Sequence, residues 1–157
     1  NKVQIGSAIR MFGLTSMFLG LYFLARSLKN DNPISNVCAE IGGLLLLLSV
    51  PVWVLLQGAD VTAINHAEKF GNGAGEAIIA ASRVLRMGNF FLFVTGIFML
   101  GISLTLLKKY KGTIGVLFII TSAAGMTGMA DAFAWLGMFG ATIVTGILTI
   151  LSKQNQT

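Results

Sequence analysis

The chain has 157 residues, of which 55% are hydrophobic and 11% are charged, and its mean hydropathy is +0.81. Soluble globular domains carry about a quarter charged residues, so this composition argues against a water-soluble enzyme and against intrinsic disorder. The single cysteine rules out a disulfide framework within one copy. The net charge is +5, but the Lys and Arg residues flank long apolar runs, which is typical of membrane anchoring rather than nucleic-acid binding. We therefore predict an all-α integral membrane protein with a single domain over residues 1–157.

The first predicted membrane span covers residues 7–25. A bilayer core of about 30 Å needs roughly 20 apolar residues in a helix, and this segment is long enough. Arg10 and Arg26 lie near its ends, where their side chains can reach the head groups. A charged start followed by an apolar stretch also resembles a secretory signal. Residues 23–26 offer no small-residue cleavage site, so we interpret the segment as a retained spanning helix.

The second predicted span covers residues 41–57. Ser35 or Asn36 is a candidate N-cap, because a side-chain oxygen there can accept from a free backbone N–H. Pro51 lies inside the span and removes one backbone hydrogen bond, which predicts a kink. Ser49 is a candidate to satisfy the freed backbone group.

The segment between the second and third spans is more polar. Residues 58–70 keep apolar positions at helical spacing but carry several charged side chains. A glycine-rich hinge follows at 71–75, then an amphipathic stretch over 76–86 and a third predicted span over 87–107. A helix over 76–107 would measure about 48 Å, longer than the membrane, so we predict a short extramembrane helical hairpin here.

Lys108, Lys109 and Lys111 form the densest positive cluster of the chain, which the positive-inside rule places in the cytoplasm. The following 39 residues, 113–151, contain one charge, Asp131. One helix of that length would measure about 58 Å, too long for a bilayer. We therefore predict two spans, 113–130 and 132–151, and about five spans in all. A single kinked helix, giving four spans, is the alternative.

Asp131 is the first candidate functional residue. A charged side chain inside the bilayer costs on the order of 2.5–3.5 kcal/mol on insertion scales, so such residues usually have a function. Asp131 is a candidate proton or cation site, or a contact to a partner protein. The simpler interpretation, which we favour, is a solvated turn between two spans.

Asp60, His66 and Glu68 form a second candidate group. On an ideal helix His66 lies about 120° from Asp60 and about 200° from Glu68, so the three side chains do not converge on a metal ion. We expect a solvated helix face that can contact a partner. We predict no metal site and no cofactor, and we expect bound lipid.

Small residues four positions apart recur in the predicted spans. Such pairs share one helix face and let a second helix approach closely, either within the chain or from another subunit. The candidate packing residues are Ser16, Gly20, Ala124, Gly128, Gly137, Ala141, Thr142 and Gly146.

The sequence carries no pattern that assembles a catalytic site. It lacks a nucleophile elbow, a zinc-protease motif and a phosphate-binding loop. We therefore predict a non-catalytic accessory subunit of a larger membrane protein complex, in contact with lipids and other membrane subunits. A small homo-oligomeric transporter or channel that uses Asp131 is the first alternative. A membrane redox subunit that binds a cofactor is the second.

Overall fold

A computed structural model of the chain describes residues 2–28, 31–107, 112–127, 140, 142–144 and 146, with the backbone alone for 2–4. Four α-helices make up the part so described: α1 (Lys2–Ser27), α2 (Pro33–Phe70), α3 (Asn72–Leu106) and α4 (Thr113–Met126). The prediction of an all-helical chain is confirmed for these residues. Three of the helices, α1, α2 and α3, are long and apolar enough to cross a membrane. The predicted fourth span, 113–130, corresponds to α4, which is a shorter apolar helix of 14 residues. The predicted fifth span, 132–151, lies largely outside the described residues.

The start of α2 is fixed by local sequence. The Asn32 side-chain oxygen accepts from the backbone N–H of Ile34 at 3.0 Å and of Ser35 at 3.2 Å. Pro33 occupies the first helical position, where its missing N–H costs nothing. The N-cap is therefore Asn32, and the prediction of Ser35 or Asn36 in that role is wrong. The helix begins earlier because an Asn–Pro pair precedes both.

Helix α2 continues through Pro51 as one helix of 38 residues, about 57 Å long. Pro51 frees the carbonyl four residues earlier, on Leu47. The Ser49 hydroxyl donates instead to the Leu45 carbonyl, at 3.0 Å. The predicted role of Ser49 as partner of the freed carbonyl is therefore wrong.

Helices α2 and α3 run antiparallel, and the only residue between them is Gly71, at φ +89°. The two helices approach closely where glycine faces glycine. A Cβ built on Gly42 would lie 2.8 Å from the Gly96 carbonyl oxygen. One end of the pair is joined by a buried polar contact, in which the Ser35 hydroxyl donates to the Ser103 carbonyl at 3.2 Å and lies 2.9 Å from the Ser103 hydroxyl.

Helix α1 packs against α2, and helix α4 packs against α3. Helix α1 lies antiparallel to α2, with the Ser7 hydroxyl donating to Gln57 Oε1 at 3.1 Å and Ala25 against Gly43 at the other end. Helix α4 lies against α3, where a Cβ on Gly101 would be 2.9 Å from the Gly115 carbonyl oxygen. Each helix therefore contacts its neighbour in sequence, which short connections favour.

The apolar core lies between α1, α2 and α3, and extends to α4 through two residues. Its largest fully buried side chains are Phe18, Leu21, Leu28, Leu46, Phe93, Val94, Ile97, Leu100, Leu104 and Phe118. The Phe18 and Phe93 rings are tilted, with centroids 5.0 Å apart. Many large apolar side chains face outward instead, among them Phe12, Phe23 and Val84. Outward apolar residues on every long helix are expected where the surrounding medium is lipid.

Candidate functional site

An ion pair links α2 and α3 at the polar end of the bundle. Asp60 on α2 and Arg86 on α3 are in direct contact, with side chains 32% and 37% exposed. The Arg86 Nε–H also donates to the Ser82 hydroxyl at 3.3 Å, and that hydroxyl donates to the Ile79 carbonyl at 2.9 Å. The guanidinium is therefore held on two sides, and Asp60 neutralises its charge.

A cavity of about 170 Å³ lies beside this ion pair, and we call it the Trp53 cavity. Three helices line it through Phe18, Trp53, Leu56, Arg86, Asn89, Phe90 and Phe93. Four of these side chains are aromatic, so most of the wall is flat and apolar. Leu56 adds a fifth apolar side chain, and the polar part of the wall consists of Arg86 and Asn89, which lie one turn apart on α3.

Two polar atoms of the cavity residues are buried without a partner in the described part of the chain. They are the Nε1 of Trp53 and the Oδ1 of Asn89. Asn89 is 6% exposed and lies at the start of the apolar part of α3. A buried polar group without a hydrogen bond costs about 1–3 kcal/mol, so each of these two atoms lowers the stability of the bundle.

The predicted contact residues Asp60, His66 and Glu68 do not form one site. Asp60 pairs with Arg86, whereas His66 and Glu68 are exposed on the outer part of α2. The His66 Nδ1 lies 3.0 Å from the Thr62 carbonyl oxygen of its own helix. No group of three or more potential metal-ligating side chains occurs within the described ranges.

Some of the predicted small-residue positions lie within the described residues and others do not. Ser16 and Gly20 are exposed on α1, and Gly146 is exposed near the end of the chain. Ala124 on α4 and Thr142 are half-buried. Gly128, Gly137, Ala141 and the candidate ion or partner residue Asp131 lie outside the described residues, as does the cluster Lys108–Lys111.

A second, wider groove opens between α1 and α2 at the opposite end of the bundle. Its volume is about 430 Å³, and it is lined by Tyr22, Ala25, Arg26, Asn36, Ala39, Glu40, Gly43 and Leu44. Small residues at its base let the two helices approach closely. Arg26 and Glu40 give the groove one charge of each sign at its exposed edge.

Sequence reasoning missed Trp53, Arg86 and Asn89. One signal was present: Asn89 is a polar amide near the start of an otherwise apolar predicted span, and polar side chains in spans usually face other helices. The pairing of Arg86 with Asp60 had no local signal, because the two residues are 26 positions apart.

Comparisons of the chain with protein families, with curated proteins and with solved structures find no match. The class of protein therefore follows from the helices themselves. Helices α1, α2 and α3 have the length and apolar composition of membrane spans, and α4 is a shorter apolar helix of 14 residues. The chain is an integral membrane protein.

Proposed function

We propose that the protein is a non-catalytic accessory subunit of a larger membrane complex, and that a partner helix docks on the outer side of α1. The observation that carries this proposal is a patch of small residues, Gly13, Ser16 and Gly20, which we call the α1 notch. All three are exposed on one side of the helix. A Cβ built on Gly13 or Gly20 would meet no described atom within 4 Å.

The α1 notch differs from the glycines inside the bundle. A Cβ on Gly42, Gly96 or Gly101 would come within 3.0 Å of a neighbouring helix, so those glycines serve contacts of this chain. Glycine inside a helix costs about 1 kcal/mol relative to alanine. The α1 notch carries that cost without an internal contact in return, and a second helix would supply the contact.

Two exposed aromatic rings border the α1 notch along the helix. Phe12 is 68% exposed and Phe23 is 62% exposed, and both lie on the same side of α1 as the small residues. On an ideal helix both rings lie along the same edge of the notch, so a partner helix that enters the notch would pack against that edge. Van der Waals packing is the main source of association between helices in lipid, so this shape favours a helical partner.

We further propose that the protein is multi-pass, with residues 58–86 outside the bilayer. Helices α2 and α3 span about 57 Å and about 52 Å, well beyond a hydrocarbon core of about 30 Å. Their excess length coincides with the polar part of the sequence, including His66 and Glu68. On this arrangement α3 crosses the membrane toward Lys108–Lys111, which we assign to the cytoplasmic side by the positive-inside rule.

The groove between α1 and α2 supports the expectation of a bound lipid. Arg26 matches a lipid phosphate, Glu40 matches an ammonium group, and Tyr22 and Leu44 offer apolar surface to an acyl chain. The occupant proposed for this groove is a zwitterionic phospholipid of the surrounding membrane.

Native mass spectrometry of the protein, extracted from its own membrane in mild detergent, tests the subunit proposal. We expect a complex that contains at least one unlike chain. Gly20→Leu fills the α1 notch and is expected to reduce the bound partner by about tenfold or more, because overpacking an interface costs about 1–3 kcal/mol. Gly88→Leu is the matched control, since a Cβ there also meets open space but lies on α3.

The outcomes separate the possibilities. Loss of the partner from Gly20→Leu with retention in Gly88→Leu supports the docking face. A complex of unlike chains that survives Gly20→Leu would place the partner elsewhere on the molecule. Copies of this chain alone would contradict the subunit proposal and favour a homo-oligomer.

A further inference from the structure

The groove between α1 and α2 presents two opposite charges at its opening. Arg26 on α1 and Glu40 on α2 both line the groove, and both residues are exposed, so an occupant can reach either side chain. Within the described ranges, neither of the two takes part in an ion pair. The groove therefore offers both charges to one occupant that carries a negative and a positive group.

The packing of α1 against α2 brings these two charges to the same level of the bundle. A Cβ built on Gly43 would lie 2.9 Å from the Ala25 Cβ and 3.4 Å from the Tyr22 Cδ2. Arg26 follows Ala25 in the chain, and Glu40 lies one turn before Gly43 on α2. These spacings place the Cα atoms of Arg26 and Glu40 within about 15 Å of each other. The two side chains and one small zwitterionic group can span that gap together.

The lining of the groove changes from polar to apolar along the helix axes. Tyr22 lies one turn before Arg26 on α1, and Leu44 lies one turn after Glu40 on α2. Because the two helices are antiparallel, both of these residues lie on the side of the charges that faces the middle of the bundle. Asn36 lies one turn beyond Glu40 in the other direction. A phospholipid has the same order of groups, with a charged head group followed by apolar chains.

The position of the groove along α2 matches the depth of lipid head groups. Glu40 and Asp60 are 20 positions apart on this helix, which corresponds to about 30 Å along its axis. The hydrocarbon core of a bilayer is also about 30 Å thick. Asp60 pairs with Arg86 at the polar end of the bundle. If that ion pair lies at one surface of the hydrocarbon core, Arg26 and Glu40 lie at the other surface, among the head groups.

The carboxylate of Glu40 distinguishes between kinds of ammonium group. A primary ammonium donates charge-assisted hydrogen bonds to a carboxylate. A quaternary ammonium, as in choline, has no N–H to donate and is usually bound by a cage of aromatic rings. Tyr22 supplies the one aromatic ring among the described residues that line the groove. The groove therefore matches a primary ammonium better than a quaternary one.

We propose that this groove binds the phosphoethanolamine head group of a membrane phospholipid in preference to phosphocholine. The Arg26 guanidinium donates to the phosphate, and the lipid ammonium donates to the Glu40 carboxylate. The acyl chains pass Tyr22 and Leu44 toward the middle of the bilayer. The head-group preference rests on the phospholipid proposed above for the same groove. It does not involve the α1 notch, because no residue of the notch lines the groove.

A lipid series that differs only in N-methylation tests the head-group preference. The purified full chain, stripped of its own lipids, is titrated in native mass spectrometry with dioleoyl phosphatidylethanolamine, its N-methyl and N,N-dimethyl forms, and dioleoyl phosphatidylcholine. We expect saturable binding of each lipid, with similar affinities for the first three. Phosphatidylcholine should bind about fivefold more weakly, because it alone has no N–H for Glu40. The difference is modest because solvent reaches the exposed edge of the groove.

A soluble head group separates the two sources of the same chemistry. Glycerophosphoethanolamine carries the phosphate and the ammonium but no acyl chain. We expect it to bind about tenfold more weakly than the dioleoyl lipid or less, because it makes no contact with Tyr22 and Leu44. Binding as tight as that of the lipid would overturn the proposal and assign the groove to a free phosphoethanolamine compound.

Two pairs of variants locate the binding site. Glu40→Gln is expected to bind phosphatidylethanolamine and phosphatidylcholine equally, and Arg26→Gln is expected to bind all four lipids more weakly. Glu76→Gln and Arg83→Gln are the matched controls, since they make the same changes at exposed positions of α3 that do not line the groove. Both controls should behave as the unaltered chain. Circular dichroism and gel filtration check that each variant is folded, and the lipid series on the unaltered chain needs no substitution.

The failures of the two proposals for this groove are distinguishable. Equal binding of phosphatidylethanolamine and phosphatidylcholine by the unaltered chain, with weaker binding of both in Arg26→Gln, would overturn the head-group preference and retain the lipid. Absence of saturable binding for every lipid would overturn both proposals. A preference that persists in Glu40→Gln would place the ethanolamine site elsewhere on the molecule.

Discussion

Individual glycines in this protein have opposite roles that depend on what faces them. Gly42 lies against the backbone of α3, so a Cβ there would be 2.8 Å from the Gly96 carbonyl oxygen and 3.1 Å from the Leu100 nitrogen. Gly58, on the same helix, meets no described atom within 4 Å. Because the neighbour at Gly42 is backbone, it cannot rotate away as a side chain would. Glycine is therefore required at position 42 and replaceable at position 58.

We predict that Gly42→Ala destabilises the bundle, by about 1–3 kcal/mol, because the two helices must move apart to admit the methyl group. Gly58→Ala should be neutral or stabilising by up to about 1 kcal/mol, since alanine is the better helix former. Both values are measurable as free energies of unfolding in mixed detergent micelles. Equal stability of the two variants would contradict the close approach of α2 and α3 at Gly42.

At the scale of helices, α2 and α3 are held along their whole length by contacts of different kinds. Ser35 and Ser103 join one end, glycines pack the middle, and the Asp60–Arg86 pair joins the polar end. The two serines are buried, whereas the ion pair is partly exposed. Solvent screens a partly exposed pair, so the ion pair contributes less to stability than its close geometry suggests.

We predict a coupling of about 0.5 kcal/mol between Asp60 and Arg86 in a double-mutant cycle with Asp60→Asn and Arg86→Gln. The coupling should fall as salt is added, because mobile ions screen the pair. Glu68→Gln is the control, since Glu68 is exposed and no contact to Arg86 is present. A coupling that stays constant with salt would mean that lipid or protein shields the pair from water.

At the scale of the whole molecule, the lengths of α2 and α3 limit how the chain can be positioned in a bilayer. Both helices exceed the hydrocarbon thickness, and their polar residues are concentrated near Gly71. If α2 and α3 both cross the membrane, as we propose, their excess length leaves it on the side where the two helices meet. If α3 crosses the membrane, the residues beyond Leu106 lie on the side of the membrane opposite to Gly71.

Cysteine labelling tests this placement. Cys38→Ala removes the single native cysteine, and His66→Cys or Lys109→Cys then introduces one reporter at a time. In sealed vesicles, we expect a membrane-impermeant maleimide to label only one of the two reporters from outside. The other should react only after the vesicles are permeabilised. Labelling of both reporters in intact vesicles would contradict a membrane-crossing α3.

The class of protein and the existence of long apolar helices could be predicted from the amino-acid sequence alone. Length and composition are sufficient for that, because the bilayer sets the length of an apolar helix. The polar segment after Gln57 and the helix break at Gly71 could also be predicted from the sequence. Charged residues and glycine affect the local polarity and backbone conformation of the chain directly. The N-cap at Asn32 was missed although its Asn–Pro pair was local.

Which side of each helix faces a neighbouring helix could be seen only in the folded chain. In a soluble protein, polar residues mark the outer face, but in lipid both faces are apolar and periodicity loses this information. The sequence therefore could not separate Gly20, which faces outward, from Gly42, which faces α3. For the same reason it could not bring Asp60 to Arg86, or Trp53 to Asn89, because those pairs depend on how two separate helices are aligned.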